Sequence, residues 1–143
     1  MDMDTVDTST TRQPQEWGRF KLAVIHTTPV TVDPLRDLAQ QLMPGLRVIN
    51  LVDDSILPEL AENGGDVEAI AGRWKQYAHI AEQQGADCIL NACSSIGELC
   101  AAVQPEIAVP IVRIDEAMAE HAVRSAGTIG VAATLATTLG PTQ

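Results

Sequence analysis

Residues 91–98, NACSSIGE, place a cysteine between an apolar run and two serines followed by a glycine. The preceding letters, DCIL, are typical of a buried strand, and the following SIGELCAAVQ is typical of a short helix. Cys93 is therefore predicted to lie where a strand ends and a helix begins. Ser94 or Ser95 is the expected N-cap of that helix.

A thiol at a helix start lies near backbone N–H groups without intrahelical partners and near the positive end of the helix dipole. These surroundings favour the thiolate, which can act as a nucleophile or remove a proton as a base. The same N–H groups, with Ser94 and Ser95, can hold a carboxylate. The residues alone leave open the alternative that Cys93 is a small apolar side chain of the core.

The chain has two further cysteines, Cys88 inside the predicted strand and Cys100 on the helix body, and both are expected to be structural. The three cysteines show no CxxC spacing and no nearby histidine, so no metal site is expected. Their odd number and the absence of a basic, then apolar, N-terminal signal predict reduced thiols and a cytoplasmic location.

The formal net charge of −10 argues against nucleic acid and anionic membrane surfaces as partners, since both need basic residues to neutralise phosphate. No apolar run reaches the roughly 18 residues of a membrane-spanning helix. The hydrophobic fraction of 45% is enough for a packed core. The net charge says little about a small substrate, because local charge decides the binding of a small molecule.

Strand-like and helix-like segments alternate along the chain. A helix is expected after Asp33 and Pro34, and another from Asp66 to Gln84, ended by Gly85. A short helix follows Cys93, and Asp115 is expected to cap the next one. Residues 53–66 are expected to form a long polar connection that contains one small apolar cluster. The predicted strands are residues 20–27, 46–52, 87–92, 109–114 and 128–133.

This alternation predicts a doubly wound, mostly parallel, flavodoxin-like α/β sheet. Ligands of such folds bind outside the carboxyl ends of the strands. The edge of interest therefore comprises residues 26–28, 53–55, 91–95, 115–116 and 133–137. Neither GxGxxG nor GxxxxGK[ST] occurs, so no nucleotide-phosphate loop is indicated.

Two stretches carry a family resemblance. ADCILNACSSIGE resembles the first cysteine motif of the aspartate/glutamate/hydantoin racemase superfamily, where a strand enters an Ala-Cys-(Asn/Ser)-(Thr/Ser) turn. VPIVRIDEAMAEHAVRSAGTIGVAATLATT resembles the segment that follows, in which an Ile-Gly-Val strand leads to a Thr-x-x-Thr turn. Here those threonines are Thr134 and Thr137, and the resemblance covers about residues 20–140.

The resemblance implies a chemistry. Members racemise or epimerise a carbon next to a carboxylate without a cofactor, using two cysteines that face each other across the substrate. It implies that Cys93 is the cysteine that removes the α-proton of an amino acid or similar small carboxylate. The predicted substrate-binding residues at this edge are Ser94, Ser95, Thr134, Thr27, Thr28 and Asn91.

The chain departs from the family pattern because the second cysteine belongs to a second, similar half, which is absent here. The expected architecture is one half of a two-domain, pseudo-symmetric racemase. Residues 1–18 are expected to form a flexible tail, 19–126 the domain with Cys93, and 127–143 the start of the truncated second half. Such a fragment should be an impaired racemase, and its exposed edge favours a homo-oligomer.

Two other functions stay open at this point. One is a cysteine-dependent decarboxylase or cis–trans isomerase of the same superfamily, and the other is a non-catalytic flavodoxin-like binding domain. His26 is either an acid/base or carboxylate contact, or a hydrogen-bonded loop histidine. Asp53, Asp54 and Ser55 can bind an ammonium or hydroxyl group, or simply form a turn or helix cap.

Overall fold

The computed structural model describes residues 14–143, and within them one parallel sheet has four strands. The strands are β1 (Lys21–His26), β2 (Arg47–Val52), β3 (Cys88–Asn91) and β4 (Ile111–Arg113), in the order β2-β1-β3-β4. The α-helices are α1 (Pro14–Trp17), α2 (Val32–Leu42), α3 (Ile56–Glu62), α4 (Glu68–Gln83), α5 (Glu98–Val103), α6 (Glu116–Ser125) and α7 (Ala136–Thr142). Single 3₁₀ turns span Pro29–Thr31, Ser94–Ile96 and Gln104–Glu106.

The predicted α/β fold with a parallel sheet is confirmed. The chain passes outward from β1 to β2, and then crosses back over β1 to β3 and β4. Helical crossovers are what allow consecutive strands to run parallel. β1 lies in the middle of the sheet, which explains why its Ala23, Val24 and Ile25 are all buried.

The core lies between the sheet and α4, whose predicted apolar stripe is confirmed. Ile70, Trp74, Ala78 and Ala81 of α4 are fully buried. Their spacing of three and four residues keeps them on one helix face. After this helix Gly85 has φ +79°. This left-handed conformation favours glycine at a helix C-terminus.

The predicted fifth strand is wrong. Residues 128–133 form no strand in the described part of the chain, and Ile129 and Val131 are exposed. A strand needs a neighbouring strand edge to satisfy its backbone groups. α6 contributes no buried residue, with Met118 62% and Val123 69% exposed, so it does not bring the chain back against β4.

Two helices differ from the prediction. Within residues 53–66, expected as a polar connection, Ile56 and Leu60 lie one turn apart and are fully buried, which stabilises α3. α2 begins at Val32, before the expected Asp33 cap, because Thr28 Oγ1 accepts a hydrogen bond from Val30 N (3.4 Å) and the chain coils from Pro29 onward.

Part of the predicted flexible tail is helical. Pro14–Trp17 forms a helical turn, and the Trp17 ring packs edge-on against Phe20 with centroids 6.3 Å apart. The remainder of that prediction, residues 1–13, lies outside the described residues. The division at residue 127 stays a prediction. No helix in the described range is both long and apolar enough to cross a membrane.

Candidate active site at the carboxyl edge of the sheet

Four residues that lie just past the ends of the four strands form a single row across the sheet. Amide groups of Asp53, Ala92 and Ile114 donate to carbonyl groups of the neighbouring strands at 3.0–3.1 Å, so the strand pairing continues past the strand ends. Extending the register by one or two positions gives the order Asp53, Thr27, Cys93 and Asp115. The parallel topology thus brings these predicted edge residues together.

Cys93 is buried, with 8% of its surface exposed, and has an extended backbone (φ −138°, ψ 113°). It is the N-cap of the 3₁₀ turn Ser94–Ile96, and α5 begins only at Glu98, so the expectation of a serine N-cap is wrong. The turn's own hydrogen bonds begin with the amides of Ile96 and Gly97. The N–H groups of Ser94 and Ser95 are not used by these bonds.

Asn91, predicted to bind substrate, contacts the main chain of Cys93. Asn91 Nδ2 donates to the Cys93 carbonyl oxygen (3.1 Å), and Cys93 N–H donates to Asn91 Oδ1 (3.3 Å). The side chain is only 1% exposed. Among the predicted site residues, Asn91 and Cys93 are therefore joined directly.

The second serine of the motif joins the edge of the sheet to α7. Ser95 is buried, and its Oγ lies 3.2 Å from Thr137 Oγ1 and 2.9 Å from Thr138 Oγ1. Thr134 is exposed on the segment before α7. Of the Thr-x-x-Thr pair, the structure thus brings Thr137 to Ser95, while substrate contact by Thr134 stays a prediction.

The loop after β1 contributes two different environments. Thr27 is buried at the edge, whereas Thr28 is half-buried and begins the 3₁₀ turn. His26 is fully buried, with Nδ1 2.7 Å from Thr31 Oγ1 and Nε2 2.8 Å from Asn50 Oδ1. Both ring nitrogens of His26 are thus engaged within the chain, as in the hydrogen-bonded loop histidine considered from the sequence.

Arg113 is a residue of this edge that the sequence interpretation missed. Its Nε and Nη2 donate to the two carboxylate oxygens of Asp115 at 3.1 Å each, and Nη2 also donates to the Pro141 carbonyl (3.1 Å). Residues i and i+2 of an extended chain point to the same face. The spacing of Arg113 and Asp115 in the sequence could therefore have predicted this ion pair. The side chain of Asp115 therefore pairs with Arg113 and does not cap α6.

Asp53 is held by a network that includes two further missed contacts. Its carboxylate accepts hydrogen bonds from Ser55 N (3.0 Å), Arg73 Nε (2.8 Å) and Tyr77 Oη (2.7 Å). Burial raises the pKa of Asp53. The hydrogen bonds from Ser55 and Tyr77 and the charge of Arg73 lower it by more, so the net pKa is below its usual value. The carboxylate is thus occupied inside the chain, as in the predicted turn.

The other two thiols differ from Cys93 in position. Cys88 starts β3, at the opposite end of the strand, and burial raises its pKa. Cys100 is 4% exposed, and burial raises its pKa to about 11. Both thiols are therefore kept protonated near neutral pH.

A groove of about 510 Å³ lies beside Ser95, between α7 and the loop before α4. Ser95, Glu98 and Thr137 provide its polar groups, and Cys93 is not in its lining. Across residues 14–143, no group of three His, Cys, Asp or Glu side chains is arranged to hold a metal ion.

Comparisons with known proteins agree on the fold. The glutamate racemase from Aquifex pyrophilus superposes on 75% of this chain with a TM-score of 0.61 and 17% sequence identity. The chain spans 41% of that enzyme's length. No curated protein sequence matches significantly. The family model for Asp/Glu/hydantoin racemases matches residues 23–143, so the chain belongs to the Asp/Glu/hydantoin racemase family.

Proposed function

We propose that this protein takes part in cofactor-independent racemisation or epimerisation of an amino acid of the aspartate/glutamate type, or of a related small carboxylate. The observation that carries the proposal is the position of Cys93 two residues after the end of β3, at the carboxyl edge of the sheet where ligands of such folds bind. Membership of a family named for racemases supports the reaction class.

In the proposed reaction the Cys93 thiolate removes the proton from the carbon next to the substrate carboxylate. The C–H bond breaks, an S–H bond forms, and the electron pair spreads into the adjacent carboxylate. Return of a proton to the opposite face inverts the centre. Return of a solvent proton to the same face produces exchange without inversion.

The substrate contacts in this proposal are polar groups around Cys93. The N–H groups of Ser94 and Ser95 are suited to a carboxylate because the 3₁₀ turn does not use them. Thr27, Thr28 and Thr134 supply hydroxyl groups from the neighbouring loops. The Asp53 carboxylate has no role in binding, since Ser55, Arg73 and Tyr77 occupy its oxygens.

Hydrogen–deuterium exchange at the α-carbon tests the proposal. The protein is incubated with aspartate or glutamate in D₂O, and loss of the α-proton signal is followed by NMR together with chiral chromatography. We expect exchange that falls at least about 100-fold in Cys93→Ser, the scale of a lost general base. Cys88→Ser is the matched control and should keep the exchange. Equal exchange in Cys93→Ser and the unmodified protein would exclude Cys93 as the base.

A further inference from the structure

We propose that Asn91 is a positioning residue that fixes the Cys93 main chain at the edge of the sheet and does not contact substrate. Its relevance to catalysis rests on the proposed function, whereas the contact itself rests on geometry. The two residues lie two positions apart, one at the end of β3 and the other just beyond it.

The Asn91 carboxamide binds both peptide groups of Cys93. Oδ1 accepts from Cys93 N–H and Nδ2 donates to the Cys93 carbonyl, at 3.3 and 3.1 Å. The opposite orientation of the amide would set NH₂ against N–H and oxygen against oxygen. The two contacts therefore define a single orientation of the side chain, and this orientation holds Cys93 from both sides.

The hydrogen-bonding capacity of the Asn91 side chain is used within the chain. The carboxamide has a partner on the Cys93 main chain for both Oδ1 and Nδ2. With 1% of its surface exposed, it offers little to a ligand. This burial favours a role exerted through Cys93.

The main chain of Asn91 provides a rigid base for this contact. Asn91 pairs with Ile25 of β1 and with Arg113 of β4, so it has a strand on each side. Cys93 lies beyond the last strand residue, and its carbonyl receives only one other, longer hydrogen bond, from Ile96 N at 3.4 Å. Without Asn91, the buried peptide groups of Cys93 lose their closest partners, and the segment is expected to loosen.

Amide hydrogen exchange in Asn91→Ala tests the contact. We expect the Cys93 amide to exchange about tenfold faster, the scale of one lost hydrogen bond. The Ala92 amide, which donates to the Ile25 carbonyl at 3.0 Å, should keep its protection. Asn50→Ala is the matched control, because it removes an amide of β2 that contacts His26 and should leave the Cys93 amide unchanged.

Thiol labelling adds a readout at the Cys93 side chain, and its pH profile is one that loosening alone does not move. In Asn91→Ala, iodoacetamide should label Cys93 several-fold faster relative to Cys100. Asn91→Asp keeps an acceptor for the Cys93 amide but places a carboxylate against the Cys93 main chain. Like-charge repulsion should then move the pH curve of Cys93 labelling to higher pH.

The two proposals fail in different ways. If Asn91→Ala changes Cys93 exchange and labelling no more than Asn50→Ala does, Asn91 does not position Cys93. If the unmodified protein exchanges no α-proton, the proposed function fails, and the amide exchange still decides the role of Asn91. If both proposals hold, Asn91→Ala should lower α-proton exchange about tenfold while the protein stays folded.

Discussion

The Arg113 guanidinium occupies the space that a side chain at position 97 would need. A β-carbon added to Gly97 would lie 2.5–2.7 Å from Nη2, Cζ and Nε of Arg113. Gly97 has helical backbone angles (φ −56°, ψ −34°). Any residue can adopt these angles. The close approach of Arg113, and not backbone freedom, is therefore what favours glycine here.

Gly97→Ala should destabilise the protein by about 1–3 kcal/mol, the scale of hydrogen bonds to charged groups. The new methyl group displaces the guanidinium from Asp115, whose side chain is 9% exposed, and from the Pro141 carbonyl. Urea unfolding followed by circular dichroism measures the change in free energy of unfolding.

Gly72→Ala is the control for that experiment. Gly72 is an exposed residue inside α4, and a β-carbon there meets nothing within 4 Å. Alanine should raise the free energy of unfolding by up to about 1 kcal/mol because it favours helix. Stabilisation of similar size by Gly97→Ala would contradict the contact with Arg113.

Tyr77→Phe should remove about 1 kcal/mol of stability near neutral pH, the scale of one hydrogen bond. The substitution deletes the hydrogen bond from Tyr77 Oη to the Asp53 carboxylate. The pKa of Asp53 is lowered in the folded state, so its ionised form contributes stability above the unfolded value of 3.8. That contribution disappears as the pH falls through the lower, folded pKa. Urea unfolding from about pH 7 down to pH 2 measures the free energy of unfolding of the unmodified protein and of Tyr77→Phe.

The loss in free energy of unfolding caused by Tyr77→Phe should shrink at the acidic end of this range, where Asp53 is protonated in folded and unfolded chains. An equal loss in free energy of unfolding at every pH would instead indicate lost packing of the hydroxyl group. Because Tyr77 is the only tyrosine, its absorbance also reports its own titration. Burial, the hydrogen bond to Asp53 and that group's charge raise the Tyr77 pKa above 10.0.

Ser95→Ala should loosen α7 with little effect on the rest of the domain. α7 contributes no buried residue, and Ser95 Oγ is the partner of both Thr137 and Thr138. Amide exchange in residues 136–142 should accelerate several-fold. Ser94→Ala, in the neighbouring and half-buried position, should leave these rates unchanged. The same acceleration in both variants would rule out a specific Ser95 contact.

The three cysteines should differ in their reaction with iodoacetamide at about pH 8. We expect Cys100 to react last, because it is 4% exposed with a pKa of about 11. Cys93 should react first if it is the base of the proposed function, with Cys88 between them. Peptide mapping at successive times gives each rate. Unfolding in urea is the control and should bring the rates together. Labelling of Cys100 as fast as Cys93 in the folded protein would contradict the predicted order.

Local patterns in the sequence determined most of the scaffold. Four of the five predicted strands occur within one to two residues of their expected ends, since uninterrupted apolar runs are typical of parallel strands. The stripe on α4 and the left-handed Gly85 follow from the same short-range rules. The row with Thr27 and Cys93 was also predictable, because parallel strands end at a common edge.

Only the tertiary structure decided which partners these residues have. Asp115 was expected to cap a helix and residues 128–133 to pair as a strand, and no pattern predicted that Asn91 binds the Cys93 main chain. Their actual contacts depend on the strand order β2-β1-β3-β4 and on how the helices pack against the sheet. Periodicity assigns a residue to a face, whereas a hydrogen bond depends on distances that non-local packing sets to within a few tenths of an ångström.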